Sequence, residues 1–115
     1  MDLKECFDLF GGNYNDVMGR LITETRVKKF LLMFLNDTSF SELKTAMEKK
    51  DYDSAFRAAH TLKGVCANLG IEKLRESASE ITEALREKDA DAAIRLFPQV
   101  AENYSITVDA LHQLK

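Results

Sequence analysis

Apolar side chains recur every three or four residues along most of the chain, and no stretch alternates apolar and polar residues as a half-buried strand would. The two longest patterns are Ile71, Leu74, Ala78, Ile81 and Leu85, then Ile94, Phe97, Ala101, Tyr104, Val108 and Leu111. Such steps place each set on one face of a helix, so the pattern predicts two helices that pack as antiparallel neighbours.

Capping residues and glycines mark where the predicted helices begin and end. Asp51 suits the start of one helix and Gly70 its C-terminus, whereas Pro98 should kink the last helix without restarting it, since the apolar steps stay in phase. The predicted helices cover residues 2–10, a short segment capped by Asn13, 25–50 as one long arm or a pair broken near 37–39, 52–69, 71–88 and 91–114.

These elements predict an all-α fold, an antiparallel up-down four-helix bundle with short N-terminal helical segments. We expect one domain over residues 1–115, in which residues 1–22 form capping helices and residues 23–115 form the bundle. A chain of 115 residues with 45% hydrophobic content can bury one core without disulfides or a metal.

Charge and apolar content narrow the function classes. A net charge of −3 argues against binding to nucleic acids, which requires a concentrated basic surface. The longest apolar run, Phe30 to Leu35, is too short to span a bilayer, and the N-terminus carries no secretory signal. We therefore expect a cytoplasmic monomer that binds neither nucleic acids nor membranes, with Cys6 and Cys66 reduced and packed as small apolar residues.

His60 lies in the middle of the helix predicted over residues 52–69. At ~100° per residue, an unbroken apolar arc lies roughly 140° to 260° away from it. The arc consists of Ala55, Ala58, Ala59, Leu62, Val65, Cys66 and Leu69. Because only this arc can face a core, His60 is predicted to be exposed to solvent.

The outward side around His60 is unusually open and carries a cation. Within ~60° of His60 lie Phe56, Arg57, Lys63, Gly64 and Ala67. A glycine inside a helix costs ~1 kcal/mol relative to alanine, so Gly64 suggests a gap kept for a large partner. A neutral imidazole is a nucleophile that can hold a phosphoryl group, and Lys63 could offset part of its charge.

The run His60-Thr61-Leu62-Lys63-Gly64, followed by Asn68-Leu69-Gly70, resembles the motif of histidine-containing phosphotransfer (HPt) domains in bacterial two-component phosphorelays. The resemblance covers residues 14–114. It extends to positions outside the motif where HPt domains place similar residues, namely Phe34, Asp37, Asp51, Ala59 and Leu74.

This resemblance implies a role for each residue of the motif. His60 would be the phosphorylated residue, through its Nε2, Lys63 would interact with the phosphoryl group, and Gly64 would permit a receiver domain to dock closely. The chain would have no kinase activity, in agreement with its lack of a nucleotide-binding GxxxxGK[ST] loop. It would accept the phosphoryl group from a receiver aspartate or a histidine kinase, such as a hybrid kinase, and pass it to a response regulator.

Apolar area beside His60 points to docking residues. Phe56 and Ala67 are the better candidates and Arg57 is a further one, while Leu32 or Met33 could add to the partner site. We expect no cofactor or metal on the chain itself, and Mg²⁺ in the acidic pocket of the partner receiver. His112 is given no role.

Two other functions stay open at this stage. A helical interaction module without phosphotransfer is one, although the intact His60, Lys63 and Gly64 argue against it. A metal-binding or haem-binding bundle is the other, but no Glu-x-x-His motif is present, and Cys66 lies ~240° around the helix from His60. The position of Met1 close to the first helix favours a free-standing protein over a domain of a hybrid kinase.

Overall fold

The computed structural model describes residues 1–21 and 23–114, which form seven α-helices and no strand. The all-α class is therefore confirmed, and the arm predicted over residues 25–50 is a pair of helices. The seven are α1 (Leu3–Leu9), α2 (Tyr14–Leu21), α3 (Glu24–Phe34), α4 (Ser39–Glu48), α5 (Tyr52–Leu69), α6 (Glu72–Arg86) and α7 (Ala90–Leu114).

Helices α4 to α7 form the four-helix bundle. Helix α5 packs against α4 and α6, and α6 packs against α7. The ring closes between α4 and α7, where Phe40 stacks on Phe97 and Tyr104 with ring centroids 5.8 Å and 4.1 Å apart. Because the connections between successive helices span only two or three residues, neighbours run antiparallel. Helix α7 continues through Pro98 without a restart.

The N-terminal segment covers the end of α5. Gly70 ends α5 in a left-handed conformation with φ of 69°, and its carbonyl oxygen accepts a hydrogen bond from the backbone N–H of Asn13 at 2.9 Å. A Cβ at position 70 would clash with Cγ2 of Val17. Both the backbone angle and the close contact therefore require glycine at this position.

Local hydrogen bonds set the helix starts. Oδ1 of Asp51 accepts a bond from the Ser54 backbone N–H at 3.2 Å, and Oδ2 accepts one from the Ser54 hydroxyl at 2.7 Å. These bonds favour the carboxylate and lower the pKa of Asp51. Side-chain oxygens that accept backbone N–H bonds at other helix starts belong to Asp2, Asn13, Thr23, Asp37 and Asp89.

The buried face of α7 differs from the predicted one. Only Leu111 of the predicted set is fully buried, Ile94 is 51% exposed, and the other four are half-buried. The face that is buried consists of Ala93, Val100, Thr107, Ala110, Leu111 and Leu114. A search for large apolar residues gives too little weight to a small alanine and to a threonine such as Thr107. The Thr107 hydroxyl donates to the Asn103 carbonyl at 2.8 Å, so it can be buried without a water as partner.

The α6 pattern, by contrast, is confirmed, since all five of its predicted core residues are buried. In the Phe30 to Leu35 run, Met33 is 53% exposed, whereas Leu32 is half-buried. None of the helices within the described ranges combines the length and the apolar character that a membrane span requires.

Candidate functional site

Helix α5 is a rigid support for the residues on its outward side. Its inward side is buried against the core at Ala55, Ala58, Ala59, Leu62, Cys66 and Leu69, as predicted, whereas Val65 is only half-buried. Alanines on this side let α4 and α6 approach closely. The orientation of α5, and hence the direction of its outward side chains, is therefore set by packing.

His60 is exposed on the outward side of α5, where the sequence places it. Its imidazole stacks on the ring of Phe56, one turn earlier, with centroids 6.1 Å apart and planes 20° apart. Arg86 of α6 lies over the same phenyl ring, with Cζ 5.1 Å from its centroid. These three side chains form a row from α6 to the imidazole, and the row restricts the directions that the imidazole can take.

Lys63 and Gly64 lie one turn further along α5 from His60. Lys63 is half-buried, and no hydrogen bond or ion pair within the described residues engages its ammonium group. At Gly64 an added Cβ would meet no atom within 4 Å. The fold itself thus gives no reason for a glycine at position 64, although glycine weakens a helix by ~1 kcal/mol relative to alanine.

The other predicted docking residues lie on the same helix. Ala67 is exposed beyond Gly64, and Phe56 is half-buried. Arg57 is exposed, but its Nη2 donates to the Ser54 hydroxyl oxygen at 3.1 Å, so its guanidinium is partly held at the start of α5. His112, on the last turn of α7, is exposed, and no aromatic ring in the described part of the chain stacks on it.

Arg86 is the residue of this site that the sequence analysis missed. A signal for it exists in the tight α5–α6 connection, because two antiparallel helices pair residues that are equally distant from their turn. Phe56 lies as far before Gly70 as Leu85 lies after Ile71. The C-terminal end of α6 is therefore expected beside Phe56, where Arg86 indeed lies.

Neither cysteine nor a carboxylate cluster offers a metal centre in the described residues. No group of three or more His, Cys, Asp and Glu side chains is placed to hold a metal ion there. Both cysteines are free and buried, and burial raises the pKa of Cys66 and that of Cys6, the latter to about 11. Both thiols thus stay protonated at neutral pH and are poor nucleophiles and metal ligands.

Comparison with known proteins adds one finding. The model of the family described as Hpt domain matches residues 31–115. This range holds the whole four-helix bundle, the last turn of α3 and every predicted site residue. No curated protein and no solved structure gives a significant match.

Proposed function

Because the chain belongs to the Hpt domain family, we propose that it is a phosphorelay intermediate that carries a phosphoryl group on His60. Members of this family are phosphotransfer modules without kinase activity of their own. The main support for the proposal is that His60 is exposed on a helix whose opposite side is buried in the core. An exposed imidazole beside an unpaired amine and an open glycine is suited to group transfer with a macromolecule.

The transfer step needs only the imidazole of this chain as nucleophile. The lone pair on Nε2 of His60 forms a bond to phosphorus while the bond between phosphorus and the aspartyl oxygen of the donor breaks. The bonding electron pair leaves with the donor carboxylate. The phosphorylated ring keeps its Nδ1 proton or yields it to water, and the reverse sequence passes the group to the next aspartate.

Lys63 and Gly64 support this step in different ways. The free ammonium group of Lys63, one turn from His60, offsets part of the negative charge of the phosphoryl oxygens. Gly64 leaves the surface open, so that the partner can bring its aspartate up to the imidazole. Exposed Ala67 and the half-buried Phe56 add apolar contact area on either side.

The proposed partners are receiver domains. A receiver aspartate or a histidine kinase, such as a hybrid kinase, supplies the phosphoryl group, and the receiver of a response regulator takes it. Mg²⁺ belongs to the acidic pocket of the receiver in this proposal. The chain acts as a monomer, since transfer needs only one copy of the site.

Incubation with phosphorylated receivers of the source organism tests the proposal. The expected result is a phosphate on this chain that is labile in acid and stable in base, as a bond between phosphorus and nitrogen is. A phosphate that is labile in base as well as in acid would indicate an acyl phosphate instead. No transfer from any receiver would favour the helical interaction module without phosphotransfer.

A further inference from the structure

A cleft of about 540 Å³ opens where the N-terminal half of α5 meets the C-terminal end of α6 and the start of α7. Its lining combines aromatic side chains with cations. The members used below are Tyr52, Phe56, Arg57, Arg86 and Lys88. Only Phe56 and Arg57 of this set belong to the docking residues predicted from the sequence, so the cleft extends the site onto α6 and the α6–α7 turn.

The cleft is positively charged within an acidic protein. Three cations face one carboxylate, that of Asp53, whereas the whole chain has a net charge of −3. Arg86 also pairs with Glu83 at 2.9 Å, but both side chains are about half-exposed, at 51% and 53%, and such pairs are weak. Lys88 is exposed, and no hydrogen bond or ion pair within residues 1–21 and 23–114 engages its ammonium group. An excess of positive charge thus remains for a partner.

The cleft is continuous with the surface around His60. Phe56 forms part of its lining and also stacks on the imidazole at 6.1 Å. Tyr52, at the far end, lies ~12 Å from His60 along the axis of α5. A partner interface of standard size covers roughly 800 Å², which corresponds to a radius of ~16 Å, so a receiver centred on His60 reaches the whole cleft.

The groove on the other flank of α5 has a different character. It lies between α3 and α5, and apolar Phe30, Met33 and Val65 line it together with Asp37, without any lysine or arginine. An acidic partner surface is therefore favoured on the α6 flank and not on the α3 flank. The charge difference between the two flanks therefore favours one orientation of the partner over α5.

We propose that this cleft binds an acidic side chain of the receiver and an apolar neighbour beside it, and so fixes how the receiver is turned over His60. The proposal rests on the proposed function. Arg86 and Lys88 attract the acidic group, while the rings of Tyr52 and Phe56 contact the apolar one. The expected effect of these cations is on the encounter with the receiver and on its salt dependence, as for charges at the rim of an interface.

Charge reversal at the cleft tests this inference. The probe is the receiver domain of the source organism that transfers fastest to the wild-type chain, and the variants are Arg86→Glu, Lys88→Glu and both together. Lys73→Glu is the matched control for each single variant, because it makes the same charge change on α6 at an exposed site ~20 Å from Arg86. Thermal melts verify that each variant folds. If the variants at Arg86 do not fold, the result for Lys88→Glu alone decides the test.

The double variant is expected to raise the KM for the phosphorylated receiver by on the order of 10-fold at low salt, and by much less in 0.5 M salt. Lys73→Glu should stay within ~2-fold of the wild type. A double variant with an unchanged KM, or a control with an equal effect, would overturn the proposal. Labelling of the wild-type chain with phosphoramidate needs no receiver, so it tests the proposed function separately from the inference about the cleft. If His60 takes no phosphate, the proposed function fails, and this inference fails with it.

Discussion

The two sides of α5 differ in burial and in packing. On the inward side Ala55, Ala59 and Leu62 are fully buried and close-packed against neighbouring helices. On the outward side His60 and Gly64 are exposed, and the space beside Gly64 is open. If phosphoryl transfer takes place on the outward side, as proposed, substitutions on the inward side should change stability and substitutions on the outward side should change transfer.

Two glycines of this region show the same contrast. Gly70 is required by the fold, because its φ is 69° and a Cβ there would clash with Val17. Gly64 is helical, and a Cβ there would meet nothing within 4 Å. Because Gly64 weakens its helix and no neighbour in the fold requires it, we propose that this position is kept open for a docking receiver domain.

The largest expected effect comes from the outward side. His60→Gln should abolish phosphoryl transfer while leaving the Tm nearly unchanged, because an exposed side chain contributes little to stability. A transfer assay and a thermal melt of the same sample measure both. His112→Gln is the matched control and should transfer like the wild type. Residual transfer by His60→Gln would contradict the assignment of phosphoryl transfer to His60 on the outward side of α5.

The inward side should give the opposite result. Leu62→Ala removes a fully buried side chain two residues from His60 and should cost ~2–5 kcal/mol of unfolding free energy. We expect a Tm lower by ~10 °C or more, with transfer retained by the folded fraction at low temperature. Denaturant unfolding monitored by circular dichroism measures the change. If the stability were unaffected, the inward side would not be the packed face described above.

Substitutions at Gly64 sharpen the contrast between the two glycines. Gly64→Ala should raise the stability by ~0.5–1 kcal/mol through helix propensity, whereas Gly70→Ala should lower it. Gly64→Glu should keep the fold but reduce transfer by on the order of 10-fold, since its size and charge oppose an acidic receiver. Wild-type transfer by Gly64→Glu would refute the role of this opening in docking.

The smallest effect concerns the start of α5. Hydrogen bonds from Ser54 lower the pKa of Asp51, so this carboxylate contributes its full stabilisation of the folded state above the ordinary pKa of an aspartate. That contribution is lost as the pH falls through the lower folded pKa. We expect Asp51→Ala to lower the Tm by a few degrees at pH 7 and to differ little from the wild type near pH 2. Asp53→Ala, in the same turn, is the control, and an equal loss there would exclude capping as the cause.

Features that depend on one helix could be predicted from the sequence. The bounds of α5, its Asp51 and Gly70 caps and the outward direction of His60 follow from local spacing and local hydrogen bonds. The predicted face of α7 was only partly right: Phe97, Ala101 and Tyr104 pack against the core but are half-buried, and Ile94 is exposed. Burial on this helix depends on which neighbours cover it, including α1, and the spacing of apolar residues along α7 does not show that. Arg86 was missed for the same reason, since a pattern along α5 does not reveal side chains that another helix supplies.

The proposed function requires that His60, and no other residue, receives the phosphoryl group. Transfer from a phosphorylated receiver, followed by ³¹P NMR at alkaline pH and peptide mapping by mass spectrometry, identifies the modified atom. We expect one phosphate, bound to Nε2 of His60, with His112, which is also exposed, unmodified. A phosphate on His112 or on a carboxylate, with His60 unmodified, would contradict it.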